Sequence, residues 1–215
     1  MPIIFYRQKT AEFYFSELRF RINHDTMNYT EYQQLFDAVL QGKLTQAPYD
    51  NPHYVEYTKL NQSRMNRWNK QLGLDETLVE ELKAISEPQH WIIIAEPWCG
   101  DAAHNVPFLV RMAEQTHLIS YDIMLRDSPP FLIESYLTNG TKSIPKLIVR
   151  SEGKDLFTWG PRPEAARELA AKLKAANTDA DAVKLELQRW YNEDKGASLC
   201  REMTELLKSA KVNAA

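Results

Sequence analysis

Residues 91–104 decide how the rest of the chain is read: Trp91-Ile92-Ile93-Ile94-Ala95-Glu96-Pro97-Trp98-Cys99-Gly100-Asp101-Ala102-Ala103-His104. Trp91 to Ala95 is a short apolar run bracketed by Pro88 and Pro97. That length suits a buried strand better than a helix. Its consecutive isoleucines are β-branched, which favours the strand further. Pro97 ends the run, Cys99-Gly100-Asp101 turns the chain, and an alanine-rich, helix-like stretch follows. A cysteine therefore stands where a buried strand passes into a helix. A helix N-terminus carries partial positive charge and unpaired N–H groups, which favour a thiolate over a thiol.

This segment resembles the active-site stretch of the thioredoxin superfamily, with its strand, tryptophan, C-G-x-C turn and helix. Here the turn reads Trp98-Cys99-Gly100-Asp101-Ala102. The first cysteine is kept, Asp101 replaces the usual proline, and Ala102 replaces the second cysteine. The chain is most similar to a branch with a C-G-D-A turn and a helical N-terminal extension. The resemblance implies an α/β, thioredoxin-like fold: a central mixed sheet flanked by helices, with extra N- and C-terminal helices. The implied organisation is an extension over 1–88, a core over 89–176 and C-terminal helices over 177–215. It also implies that Pro145, in Ser143-Ile144-Pro145, is cis and faces the sulfur. The Ile144 backbone would then pair with an extended substrate or a glutathione-like thiol.

Length and composition bound the rest. The chain has 215 residues, a net charge of −3 and two cysteines. The length suits one or two compact units, and the charge gives no reason to expect a nucleic-acid partner. No apolar run approaches the roughly 20 residues that span a bilayer. The start, Met1 to Arg7, lacks the basic and apolar regions of a signal peptide, so a cytoplasmic location is expected. Two distant cysteines make neither a disulfide framework nor a zinc site, and no metal is expected.

Along the chain, the first ninety or so residues read as helices. Thr10 is a candidate cap for a segment with Phe13 and Leu18. Thr30 and Gln33 match a capping box, with Tyr32, Leu35, Phe36, Val39 and Leu40 recurring at helical spacing and Gly42 stopping them. A longer helix carries Tyr54, Tyr57, Leu60, Met65, Trp68 and Leu72 near one face, and Asp75 opens another. Arg64, Arg67 and Lys70 lie among those aromatics, as a surface for an anionic partner or, more plainly, as a solvated face. After the central strand come a helix over 102–116 with Pro107 inside it and a strand over 118–125. A short helix from Pro129-Pro130 through Leu137 precedes a strand led by Pro145. That strand pairs in a hairpin with 156–159, and a helix runs from Pro163 to about Ala176. Ile3 to Tyr6 is a candidate opening strand, or the extension replaces it. In the tail, Val183, Leu187 and Trp190 form a stripe, Gly196 breaks it, and Ser198 caps a last helix.

The candidate chemistry centres on Cys99 and Asp101. Thiol exchange needs an exposed, stabilised thiolate. Asp101 favours the helix start but sets a negative charge beside the sulfur; it is either a proton acceptor or only a helix-start residue. Trp98, Gly100, Ile144 and Pro145 are expected to build a docking edge. Arg126 and Arg162 would hold a substrate carboxylate or form structural salt bridges. With Ala102 in place there is no adjacent resolving thiol, so a disulfide at Cys99 would need an external thiol such as glutathione. Cys200, with Met203 and Leu207 at helical offsets, reads as a buried structural cysteine, and His104 as a surface or packing histidine. Two functions follow. One is monothiol thiol–disulfide exchange with a protein or small-molecule disulfide, with no resident cofactor. The other is a redox-inactive binding module that keeps the groove.

Overall fold

In the computed structural model of the chain, residues 26–214 are described. The expected cap at Thr10 and the candidate strand over 3–6 lie outside them. A four-stranded mixed sheet has the order β2-β1-β3-β4. Its strands are β1 (Gln89–Ala95), β2 (Ile119–Leu125), β3 (Lys146–Ser151) and β4 (Lys154–Trp159). β1 runs parallel to β2 and antiparallel to β3, and β3 pairs antiparallel with β4. Trp91 to Ala95 are buried on both faces, as the β-branched run requires of a central strand.

Three helices precede the sheet: α1 (Tyr29–Leu40), α2 (Pro52–Gln71) and α3 (Glu76–Lys83). α4 (Gly100–Ala113) follows β1, and α5 (Glu164–Ala175), α6 (Ala180–Asp194) and α7 (Ala197–Ala214) follow β4. The chain is an α/β protein of thioredoxin-like architecture with added helices. α4 carries Pro107 and buries almost its whole surface, because β1 and β2 lie on one side and α2 on the other. Residues of α1, α2, α3, α4, α7 and the sheet share one apolar cluster. Before α1, Met27 exchanges two backbone hydrogen bonds of 2.8 Å with Ile123 on β2. No described helix is long and apolar enough to cross a membrane.

Several local expectations are corrected. The capping box of α1 is Asn28 with Glu31, not Thr30 with Gln33: the Asn28 side chain accepts the Glu31 N–H, and the Glu31 carboxylate accepts the Asn28 N–H. The buried face of α2 is Thr58, Asn61, Met65 and Trp68, whereas Leu60 is exposed. The helix expected after Pro129-Pro130 is only a 3-10 turn, Leu132–Ser135, since Phe131 at φ +55° cannot lead an α-helix. α7 begins at Ala197, and its first turn is capped by the Asp194 carboxylate, which accepts the Ser198 N–H. In α6 the buried pair is Leu187 and Tyr191 rather than a stripe through Trp190.

Candidate functional site

Pro97 stops β1, and the turn from Glu96 closes with the Cys99 N–H donating to the Glu96 carbonyl at 3.0 Å. Cys99 is the N-cap of α4, and its sulfur accepts the Ala102 N–H at 3.4 Å. A cysteine thus takes the place usually held by Ser, Thr, Asp or Asn. On its other side the thiol donates to the Ile144 carbonyl at 3.3 Å. The Ile144–Pro145 peptide is cis. Cys99 is only 8% exposed. Burial first, and then the Asp101 carboxylate, push its thiol up to about 12, against the N–H groups of Ala102 and Asp101 and the charge of Arg162. The expected exposed thiolate is therefore replaced by a buried, neutral thiol, because desolvation outweighs the helix N-terminus.

Asp101 is held by residues far away in the chain. Arg162 grips it as a fork, Nε to Oδ1 at 2.8 Å and Nη2 to Oδ2 at 2.7 Å. The Tyr191 hydroxyl donates to the same Oδ1 at 2.9 Å. Burial alone would lower the Arg162 guanidinium, but the pairing with Asp101 raises it. Arg162 thus spends its charge on the protein itself. Asn105 donates from Nδ2 both to the Asp101 carbonyl at 2.8 Å and to the Tyr191 hydroxyl at 3.2 Å. These bonds tie α6 to the first turn of α4.

His104 is buried and pushed down to about 3, chiefly by desolvation. Its Nδ1 accepts from the Trp68 indole at 3.0 Å, so its Nε2 carries the proton and donates to the Gln188 Oε1 at 3.0 Å. Its ring stacks on Tyr191 with centroids 4.2 Å apart. His104 is a neutral clamp between α2, α4 and α6. Cys200, on α7, is also buried and is not part of this site.

A cavity of about 510 Å³ opens over the turn. Cys99, Gly100, Asp101, Trp98 and Arg162 line it together with Tyr54, Tyr57 and Arg64 of α2 and Leu187, Gln188 and Tyr191 of α6. Of the residues expected at the site, Ile144, Pro145 and Arg126 are not on this wall. Ile144 and Pro145 are buried beneath the sulfur, so the expected docking edge is a closed floor. Gly160 explains how closed: at φ +114° it lies against Pro145, and a Cβ there would stand 2.2 Å from the Pro145 carbonyl oxygen. Arg126 instead pairs with Asp127 and lies over the Trp98 ring, 4.6 Å from its centroid. Among the described residues no group of His, Cys, Asp or Glu is arranged to hold a metal ion.

The family model named Thioredoxin matches residues 48–176. The chain belongs to the thioredoxin family. A crystal structure of a protein of unknown function from Pseudomonas aeruginosa is similar at 19% identity, with a TM-score of 0.53, covering 86% of this chain and 99% of that one. An HIV epitope scaffold is similar at 18% identity, with a TM-score of 0.52, covering 85% of this chain and 99% of the other. These likenesses concern the fold alone. No curated protein matches the chain. Within this thioredoxin-family chain the match begins before α2, so the helix that supplies Tyr54, Tyr57 and Arg64 lies inside the matched region.

Sequence reasoning missed the walls of the site. Tyr191 and Gln188 come from a tail whose pattern reads as packing. Arg64 had a signal, its place among aromatics on α2, but that signal did not say which face meets Cys99. Glu96 was another: a lone carboxyl at the end of an apolar run. It is buried, and desolvation pushes it up to about 7.

Proposed function

We propose that the cavity over the α4 turn binds a small molecule, with Cys99 forming part of its wall as a neutral thiol. The thioredoxin fold then serves as a binding module. The state of the sulfur carries this reading: its proton is directed to the Ile144 carbonyl, and burial and Asp101 both disfavour the anion. Magnitude supports the same reading. Against an ordinary cysteine near 9, a thiol at about 12 has roughly a thousandfold less thiolate at neutral pH. The greater nucleophilicity of a more basic thiolate recovers only part, leaving attack roughly fiftyfold slower. The cavity volume of about 510 Å³ also falls in the range of small-molecule sites, about 300–1,000 Å³.

A second reading, monothiol exchange, is favoured by the Ala102 N–H aimed at a sulfur that lies on the cavity wall. The Cys99 thiolate would attack one sulfur of a bound disulfide, forming a mixed disulfide and expelling the other sulfur as a thiolate. With Ala102 adjacent, an external thiol such as glutathione would then have to release Cys99.

Alkylation by iodoacetamide across pH, followed in a Cys200→Ala variant, separates the two. The binding reading expects slow modification of Cys99 at pH 7, rising about tenfold per pH unit to pH 10 or beyond. Asp101→Asn should move that rise to lower pH by removing the neighbouring charge. A midpoint near 7, with a mixed disulfide at Cys99 after exposure to oxidised glutathione, overturns the binding reading in favour of exchange.

A further inference from the structure

The charges around the cavity do not cancel. Arg162 is satisfied by the Asp101 carboxylate at 2.7 Å. Lys184 at the rim is paired with Asp181 at 2.8 Å and donates to the Tyr57 hydroxyl at 2.7 Å. Arg64 differs from both. Its Nη1 donates to the neutral Asn61 Oδ1 at 2.7 Å, and among the described residues no carboxylate stands within ion-pair distance of it. Yet Arg64 is partly buried, and desolvation lowers its guanidinium from the usual value; the Asp101 carboxylate, beyond ion-pair reach, opposes that shift in part, and Arg67 adds to it. A half-buried cation without a counterion is costly unless something else supplies the charge.

Two features hold Arg64 in that position. The first is Asn61, wholly buried, whose Nδ2 donates to the Pro97 carbonyl at 2.8 Å. Asn61 therefore ties the arginine to the turn that carries Cys99. The second is Gly100: a Cβ at that position would come within 3.3 Å of the Arg64 Nη1. The absent side chain leaves room for the guanidinium against the start of α4. Trp98 and Tyr54 pack edge to face beside it, with centroids 5.2 Å apart, and Leu187 closes the far wall.

Resting on the binding reading above, we propose that the cavity takes a small monocarboxylate with an apolar or aromatic body, gripped by the Arg64 guanidinium. A guanidinium matches a carboxylate with two parallel N–H···O bonds. A single negative charge balances Arg64, the one guanidinium or ammonium on the cavity wall that no carboxylate of the described residues pairs. A phosphate dianion would carry excess charge toward Asp101 on the same wall. Tyr54, Trp98 and Leu187 would cover the apolar body, and Arg64 would set the specificity.

The test is titration calorimetry on the full chain with three probes of one shape: hydrocinnamate, its uncharged amide and phenyl phosphate. Hydrocinnamate should bind at least about tenfold more tightly than the amide. Arg64→Gln should remove that preference, and Arg64→Lys, which keeps the charge but not the fork, should restore only part of it. Thermal melting of each variant separates a lost grip from a lost fold, and Arg64→Lys remains informative if Arg64→Gln melts early. Equal binding of acid and amide, tighter binding of phenyl phosphate, or a preference that survives in folded Arg64→Gln each overturns the proposal. So does the failure of all three probes to bind at millimolar concentration. Equal binding of acid and amide leaves the binding module standing. An alkylation midpoint near 7 strikes that module instead.

Discussion

Cys99 has two sides, and they are built on opposite terms. Beneath it, Ile144 and Pro145 are buried and Gly160 leaves no space for a methyl group. Above it, Gly100 lies against the tip of the Arg64 side chain on the wall of an open cavity. Charge follows the same division. Above the turn, Asp101 meets the Arg162 fork and Arg64 is a cation to spare. Below it, Glu96 is buried, accepts the Asp127 N–H at 3.4 Å and the Arg126 N–H, and lies near the buried Tyr32 and Tyr49 hydroxyls. The comparison teaches that both sides act on the sulfur: burial pushes its thiol up most, and the Asp101 carboxylate of the upper side adds to it. Packing from below buries it, while its residue remains part of the cavity wall above.

Three measurements can break or sharpen that division. The largest effect is expected at Gly160. Gly160→Ala forces a Cβ onto the Pro145 carbonyl and fixes an unfavourable positive φ, which should cost about 3–4 kcal/mol in urea unfolding. A loss under 1 kcal/mol would mean that the floor yields and is not closed.

Glu96 comes next, and its sign follows from its direction of shift. Folding holds its carboxyl up to about 7 from 4.5, so the fold favours the neutral acid. The stability this group contributes is complete below about 4.5 and is lost as pH rises through 7. At pH 8 the charged, buried form costs about 3 kcal/mol. Glu96→Gln should therefore be more stable than the parent by about that amount at pH 8, with the gain vanishing near pH 4. A gain independent of pH would show that the lower side does not hold an uncompensated carboxyl.

The smallest effect belongs to the upper side. Gly100→Ala should change unfolding free energy by no more than about 0.5 kcal/mol, because alanine favours a helix and the crowded atom is the end of a flexible side chain. Displacing Arg64 should still weaken hydrocinnamate by roughly two- to threefold, since a charge-assisted bond depends on its geometry. Unchanged affinity would indicate that Gly100 and Arg64 do not act together.

Much of the fold was legible because its signals are local. Three adjacent isoleucines between prolines mark β1 wherever they sit, and Asp75 caps its helix through its own neighbours. The boundaries that failed depended on one backbone angle, as at Phe131, or on a cap reaching across a turn, as at Asp194. The site was legible only as a centre. Trp98, Cys99, Gly100 and Asp101 are contiguous, so their spacing could be read directly. Arg64 and Tyr191 join them only when α2 and α6 close over α4, and no periodicity within either helix announces that meeting.

The chain's residues by themselves determined a buried strand, a cysteine turn and a helix in that order, because β-branching, proline and capping act over a few neighbouring positions. Tertiary structure decided what the cysteine is. Its protonation depends on burial by Ile144 and on the charge of Asp101, which Arg162 and Tyr191 hold from the far end of the sequence. Desolvation and charge pairing act through space, so only the assembled fold converts that turn into a buried thiol beside a half-buried arginine.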